Sequence, residues 1–103
     1  MNNGIRGVVV DAGHGGSDPG AVANGEEEKN FNLRAAQYMY QRLQELGIPS
    51  VIIRDTDESL SRDERVNRAL EAFGNNRNVI LISNHINAGG GTSFYVVNSS
   101  TGV

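Results

Sequence analysis

Three short apolar runs rich in β-branched residues alternate with two segments of helical periodicity, and this alternation narrowly limits the folds open to the chain. The runs are residues 6–11, 51–53 and 79–82, and each has the length and composition of a buried strand. A further strand is expected at residues 93–97. Strands that alternate with helices pair in parallel through right-handed crossovers. The sequence therefore predicts an α/β fold, a small, mostly parallel sheet with flanking helices in the order β-α-β-α-β-β.

Two amphipathic segments supply the predicted helices, and residues 12–27 before them read as a glycine-rich polar loop. The first helix is expected from about residue 28 to 46, with Gly47 placed to end it. The second runs from Ser59 or Ser61 to about residue 73, and Ser61 and Glu64 have the spacing of a capping box. The apolar positions expected to face the core are Phe31, Ala35, Ala36, Met39, Tyr40, Leu43 and Leu46, followed by Val66, Ala69, Leu70 and Phe73.

Composition narrows the classes of function. At 103 residues the chain, residues 1–103, is expected to form a single domain. The formal net charge of −3 argues against binding to nucleic acid or to an anionic membrane surface. No apolar stretch is long enough to span a membrane and no secretion signal is visible, so we expect cytoplasmic synthesis. Cysteine is absent, so any metal site must use nitrogen and oxygen ligands.

Both histidines of the chain stand just past the end of an apolar run. His14 follows the first predicted strand and His85 the third. Loops after parallel strands share one edge of the sheet, where ligands usually bind. The first helix starts at that edge, so Glu26, Glu27 and Glu28 are expected near both imidazoles. Two histidines and one glutamate form a known catalytic zinc arrangement, so the topology predicts a metal site.

Simpler interpretations of the same residues stay open at this stage. A single loop histidine is more often a surface or hydrogen-bonding residue than a metal ligand. Acidic residues at a helix N-terminus are favoured by the macrodipole alone, which accounts for residues 26–28. The glycines of residues 13–16 are of the kind that cradle a phosphate, although Asp18 stands where a dinucleotide-binding fingerprint requires its third glycine.

Three segments in order resemble a known enzyme family. Residues 8–21 (VVVDAGHGGSDPGA), 28–33 (EKNFNL) and 83–88 (SNHINA) resemble the three motifs of the zinc-dependent N-acetylmuramoyl-L-alanine amidases. Phage endolysins and bacterial cell-wall hydrolases use amidases of this type. Between the second and third motifs, Arg54 and its neighbours at residues 54–57, 60–61 and 64–65 also match the family. The resemblance covers about residues 6–91.

The resemblance implies a function and a set of ligands. His14, Glu28 and His85 match the family's zinc ligands, which makes Zn²⁺ the expected cofactor. The implied reaction is hydrolysis, by a zinc-activated water, of the amide between N-acetylmuramic acid and L-alanine. The implied partner is peptidoglycan, and the implied site of action is the cell wall after release from the cytoplasm.

One departure from the family pattern changes the expectation. The family's catalytic glutamate lies well after the second histidine, whereas no Asp or Glu follows Glu71 here. The catalytic base and the substrate-binding residues therefore stay unassigned. We expect a C-terminally shortened, incomplete amidase-like domain with impaired hydrolysis, or alternatively a non-catalytic zinc-containing domain that binds peptidoglycan. An uncovered sheet edge or apolar face would favour self-association.

Overall fold

A computed structural model describes residues 6–74, 78–86 and 92–98, the last range by its backbone. The elements follow the predicted order, with one small hairpin added. They are β1 Gly7–Ala12, β2 Val22–Ala23, β3 Glu26–Glu27, α1 Glu28–Glu45, β4 Ser50–Ile52, α2 Arg62–Phe73, β5 Val79–Ile86 and β6 Thr92–Asn98.

The main sheet has the strand order β4-β1-β5-β6. Strand β1 pairs in parallel with both β4 and β5, while β6 runs antiparallel to β5. The predicted α/β class and mostly parallel sheet are therefore confirmed. Because β1 is central and fully buried, it places the loop that follows it, which contains His14, in the middle of the carboxyl edge of the parallel strands.

Two local predictions were wrong. The segment predicted as loop, residues 12–27, contains the antiparallel pair β2–β3, joined at Asn24 and Gly25 with φ angles of 53° and 78°. Two successive positive φ angles give the turn that suits a two-residue hairpin, and Asn-Gly is its preferred sequence. Strand β5 extends to Ile86, so His85 lies within the strand rather than past its end. Pairing with β6 opposite residues 80–86 explains the extension.

The core is divided between the two faces of the sheet. On the α1 face, Val8, Val10 and Ala12 pack with Ala36, while on the α2 face Val9 packs with a second group. That group and its partly buried neighbours include Ile53, Val79, Ala69, Ala72 and Phe73. The alternation of β1 side chains between faces follows from the two-residue period of a strand.

Four residues predicted to face the core are exposed instead: Phe31, Leu46, Val66 and Leu70. Leu46 is the C-cap of α1, where the chain already leaves the helix. The Arg34 guanidinium lies over the face of the Phe31 ring, 4.6 Å from its centroid. Self-association through such a surface stays a prediction, as does the single-domain boundary. In the described ranges no helix has the length and apolar character needed to cross a membrane.

The two helices begin differently. Ser61 and Glu64 form the predicted capping box of α2, with both reciprocal hydrogen bonds present. Helix α1 has no side-chain cap. Its first backbone N–H groups, those of Glu28 and Lys29, donate to the carbonyls of Ala21 and Pro19. The loop after β1 therefore closes onto the start of α1 and holds Glu28 beside His14.

Candidate metal centre

The structure brings His14, Glu28 and His85 together at the carboxyl edge of the parallel strands. One donor atom from each lies within 4.8 Å of the others. Glu28 Oε2 is 3.4 Å from His14 Nε2 and 3.4 Å from His85 Nδ1. The imidazole rings meet edge to face, with centroids 5.1 Å apart. Glu26 and Glu27, also expected near the histidines, lie in β3 outside this group, and Glu27 is 3.7 Å from the Lys29 ammonium.

His14 is held by its own loop. Its Nδ1 is 2.8 Å from Asp18 Oδ2, and the Gly20 N–H donates to the other Asp18 oxygen at 3.2 Å. The hydrogen bond from His14 is the main cause that lowers the pKa of Asp18 below its ordinary value of 3.8. An ionised carboxylate only accepts hydrogen bonds, so His14 Nδ1 carries the proton. Nε2 is the ring nitrogen that faces Glu28.

Glu28 is buried, with 5% of its side chain exposed, and both carboxylate oxygens have donors. The Ala21 N–H donates to Oε1 at 2.9 Å, and Asn32 Nδ2 donates to Oε2 at 3.0 Å. Asn32 Nδ2 also donates to the carbonyl of Gly13 at 3.1 Å. These donors orient the Glu28 carboxylate toward the imidazoles.

His85 is oriented from the other side of the site. Its Nε2 is 3.3 Å from Ser83 Oγ, and that hydroxyl donates to Asp11 Oδ2 at 2.8 Å. A hydroxyl has one proton, so Ser83 accepts from His85 Nε2–H. Nδ1 is therefore the ring nitrogen of His85 that faces Glu28. Each imidazole thus has one ring nitrogen toward Glu28 and the other toward a side chain that holds it, Asp18 for His14 and Ser83 for His85, an arrangement that suits a cation between the three facing atoms.

Two glycines make room for these side chains. A Cβ on Gly13 would lie 2.4 Å from Cε1 of the His85 ring, which therefore packs directly on the backbone. Gly20 has a φ of +70°, and a Cβ there would lie 2.6 Å from Glu28 Oε1 and 2.7 Å from His14 Cδ2. No larger residue fits either position without displacing a member of the site.

Two arginines hold the loop that follows β1. Arg54, with 0% exposure, donates to the carbonyls of Ala12, Gly13, Thr56 and Lys29. Burial is the main cause that lowers its pKa. Arg65 donates to the carbonyls of Ala12 and His14 and to Asp11 Oδ1. The guanidinium groups therefore hold the backbone at Ala12, Gly13 and His14, where His14 adopts a φ of 62°.

The backbone N–H groups of the glycine-rich loop argue against its interpretation as a phosphate-binding site. The N–H of Gly13 donates to the Asn84 carbonyl and that of Gly15 to the Asp18 carbonyl. The N–H of Gly16 donates to Asp57 Oδ1 at 2.8 Å. A phosphate cradle needs such N–H groups directed at the ligand, and these three are directed at the chain itself.

Sequence reasoning assigned no role to several residues around the site. Local spacing could have indicated two of them: Asn32 is four residues after Glu28 on one helix, and Ser83 is two residues before His85 on one strand face. Asp11, Arg54 and Arg65 lie in segments that resemble the family, but they reach the site through tertiary contacts, so no spacing rule assigned them a role.

The comparisons with known proteins agree with this geometry. The family profile described as N-acetylmuramoyl-L-alanine amidase matches residues 8–102. This chain belongs to that family. The earlier resemblance is therefore confirmed at the level of the family.

Individual relatives show how much of a family member the chain represents. It is 40% identical over 82 residues to the uncharacterized protein YqiI of Bacillus subtilis. This alignment covers 80% of this chain and 38% of that protein. It is 38% identical over 90 residues to a sporulation-specific N-acetylmuramoyl-L-alanine amidase of the same organism, covering 84% and 33%. The chain thus spans about a third of the length of these relatives.

Solved amidase structures share the fold. The catalytic domain of CwlV from Bacillus (Paenibacillus) polymyxa var. colistinus superposes with a TM-score of 0.69 at 34% identity, covering 80% of this chain and 45% of that one. AmiC2 of Nostoc punctiforme gives a TM-score of 0.68 at 31% identity, covering 78% and 43%. The described sheet and helices therefore match part of an amidase catalytic domain.

Proposed function

We propose that this chain binds a zinc ion through His14, Glu28 and His85 and hydrolyses the amide bond between N-acetylmuramic acid and L-alanine in peptidoglycan. The observation that carries the proposal is the convergence of three lone-pair donors, two imidazole nitrogens and one buried carboxylate, within 4.8 Å. Membership of the amidase family supplies the substrate class.

The donor set fits zinc in number and kind. Two imidazoles and one carboxylate are the protein ligands of a common type of catalytic zinc site, which leaves one position open for water or substrate. A zinc ion in such a site acts as a Lewis acid on the substrate carbonyl and activates water at neutral pH. Calcium and magnesium prefer oxygen ligands, so two imidazoles argue against either ion.

The chain's own residues prepare this site before any ion binds. Asp18 holds the proton of His14 on Nδ1, and the Ala21 N–H and Asn32 hold both oxygens of Glu28. Each ligand is therefore oriented by a second hydrogen bond, which is the usual construction of protein metal sites. The substrate carbonyl would enter from the open side, where His14 and His85 are 28% and 30% exposed in their side chains.

The rate of turnover depends on a general base. The resemblance places the family's catalytic glutamate well after His85, and no Asp or Glu follows Glu71 in this sequence. General acid–base catalysis is worth about 10²–10⁴-fold, so we propose slow hydrolysis by this chain alone. The same observation favours a second candidate function, a zinc-containing domain that binds peptidoglycan without cleaving it.

Zinc content and release of dye from labelled cell walls test the proposal. Wild type should hold one zinc per chain by elemental analysis and release dye slowly, and Glu28→Gln should lose both properties. Glu26→Gln is the matched control, because Glu26 is exposed and lies outside the ligand group. Equal dye release by wild type and Glu28→Gln would refute the hydrolysis. Wall binding and bound zinc without release would support the second candidate.

A further inference from the structure

We propose that Asp11 and Ser83 are positioning residues for His85, which set its tautomer so that Nδ1, rather than Nε2, carries the lone pair facing Glu28. The inference rests on the proposed metal site, because the tautomer matters most when His85 is a ligand. Ser83 contacts the far side of the His85 ring, and Asp11 acts on that ring only through Ser83.

Strand register places the three side chains in a row. Asp11 of β1 is the direct neighbour of Ser83 in β5. Ser83 and His85 are two residues apart on one strand, so they share a face. That face also carries Val9, Val79 and Leu81 below them, packed against α2. The row changes from apolar to polar toward the carboxyl edge, where His85 stands.

The direction of each hydrogen bond follows from Arg65. Its Nη1–H donates to Asp11 Oδ1, which holds the carboxylate in place and leaves Oδ2 directed at Ser83. Asp11 Oδ2 then accepts the single proton of the Ser83 hydroxyl. Ser83 Oγ, with no proton left, accepts from His85 Nε2–H. Two donors therefore point in sequence, from His85 to Ser83 and from Ser83 to Asp11, and Arg65 donates to Asp11 from the other end.

The hydrogen bonds from His85 through Ser83 to Asp11 form a relay, and Arg65 connects this relay to the other imidazole. Its Nη2–H donates to the His14 carbonyl at 2.8 Å, while Nη1 serves Asp11. The Arg65 guanidinium thus holds the backbone of His14. Through Asp11 and Ser83 it also fixes the ring orientation of His85. The two rings, nearly perpendicular at 87°, present opposite nitrogens, Nε2 of His14 and Nδ1 of His85.

Serine variants give the first test. Zinc affinity is measured by competition with a chromophoric chelator. Loss of an orienting partner typically costs about 10- to 100-fold in metal affinity, so Ser83→Ala should bind zinc at least about tenfold more weakly. Ser83→Thr keeps the hydroxyl and should restore the affinity. Ser50→Ala is the matched control, because Ser50 is also half-buried and also has a side-chain partner, Gln44, but lies on β4 away from the site.

Asp11→Asn gives a sharper test because it should reverse the relay. The amide oxygen stays with Arg65, which can only donate, so the amide NH₂ faces Ser83. Ser83 then accepts from the amide and donates to His85 Nε2, which moves the ring proton to Nδ1, facing Glu28. We expect a larger loss of zinc affinity than for Ser83→Ala, nearer about 100-fold.

Nitrogen-15 NMR of the two imidazoles reads the tautomers directly, with and without zinc. We expect Nε2–H in His85 and Nδ1–H in His14, each acting as a reference for the other. Zinc affinities of Ser83→Ala within about twofold of wild type, or a proton on His85 Nδ1, would overturn the relay. If wild type binds no zinc, the proposed function fails, and the tautomer measured in the metal-free chain still decides the relay. The serine variants remain informative if Asp11→Asn does not fold.

Discussion

Replacement of Arg54 by lysine should strongly destabilise the fold. Arg54 Nε, Nη1 and Nη2 distribute four hydrogen bonds over four backbone carbonyls, at distances of 2.8–3.1 Å. The side chain is fully buried, and so are Ala12, Gly13 and Lys29, so at these three carbonyls no water replaces a lost donor. A lysine ammonium is one compact group and cannot reach carbonyls spread along both edges of a planar guanidinium.

The size of the effect follows from the carbonyls left without a donor. If the lysine of Arg54→Lys serves two of the four, two buried carbonyls lose their hydrogen bonds. Each costs about 1–3 kcal/mol, so the free energy of unfolding should fall by roughly 2–4 kcal/mol after partial relaxation. Small domains have only about 5–15 kcal/mol in total, which makes this a large fraction of the stability.

Urea denaturation with and without the substitution measures this difference. Arg42→Lys is the control, because Arg42 pairs with Glu45 at the surface, where both side chains are about half exposed. That variant should change the free energy of unfolding by less than about 1 kcal/mol. Should Arg54→Lys fall within about 0.5 kcal/mol of this control, the guanidinium would not be what holds the loop after β1, and the reasoning would be wrong.

Three further predictions concern zinc, a glycine and acid. Zinc at 100 times its Kd should add about 2.7 kcal/mol of stability and raise the melting midpoint by roughly 10–20 °C, and no shift between zinc and chelator would contradict the site. Gly13→Ala pushes a Cβ into the His85 ring and should weaken zinc binding at least about tenfold in the chelator competition; unchanged affinity would show that the ring does not need this contact. Hydrogen bonds from Lys29 and from the Ser61 N–H lower the pKa of Asp57 and Glu64 below their ordinary values of 3.8 and 4.5. The folded state therefore binds these two protons at a lower pH than the unfolded chain does. The stabilisation of the fold by the two carboxylates is complete above their ordinary pKa values and should be lost as the pH falls below them. Urea midpoints that stay constant through this range would disprove the linkage.

Local signals in the sequence determined the elements and the general position of the site. Three such signals are the β-branched run before His14, the helical spacing of apolar residues in α1 and the Ser61–Glu64 capping box. Each extends over one strand or a few helical turns, so it can be recognised without knowledge of the fold. The rule that parallel strands share a carboxyl edge then brought His14 and Glu28 together on topology alone.

Tertiary structure decided how the site is held. Strand β5 continues through His85 because β6 pairs beside it, a contact that the apolar run does not encode. Ser83 and Asp11 are 72 residues apart in the chain, and Arg54 and the Ala12 carbonyl are 42 apart. Hydrogen bonds of this kind have no spacing rule along the sequence, because their partners meet only after the sheet has assembled. The choice of His14, Glu28 and His85 as proposed ligands therefore follows from local motifs, whereas the hydrogen bonds that orient them depend on the folded sheet.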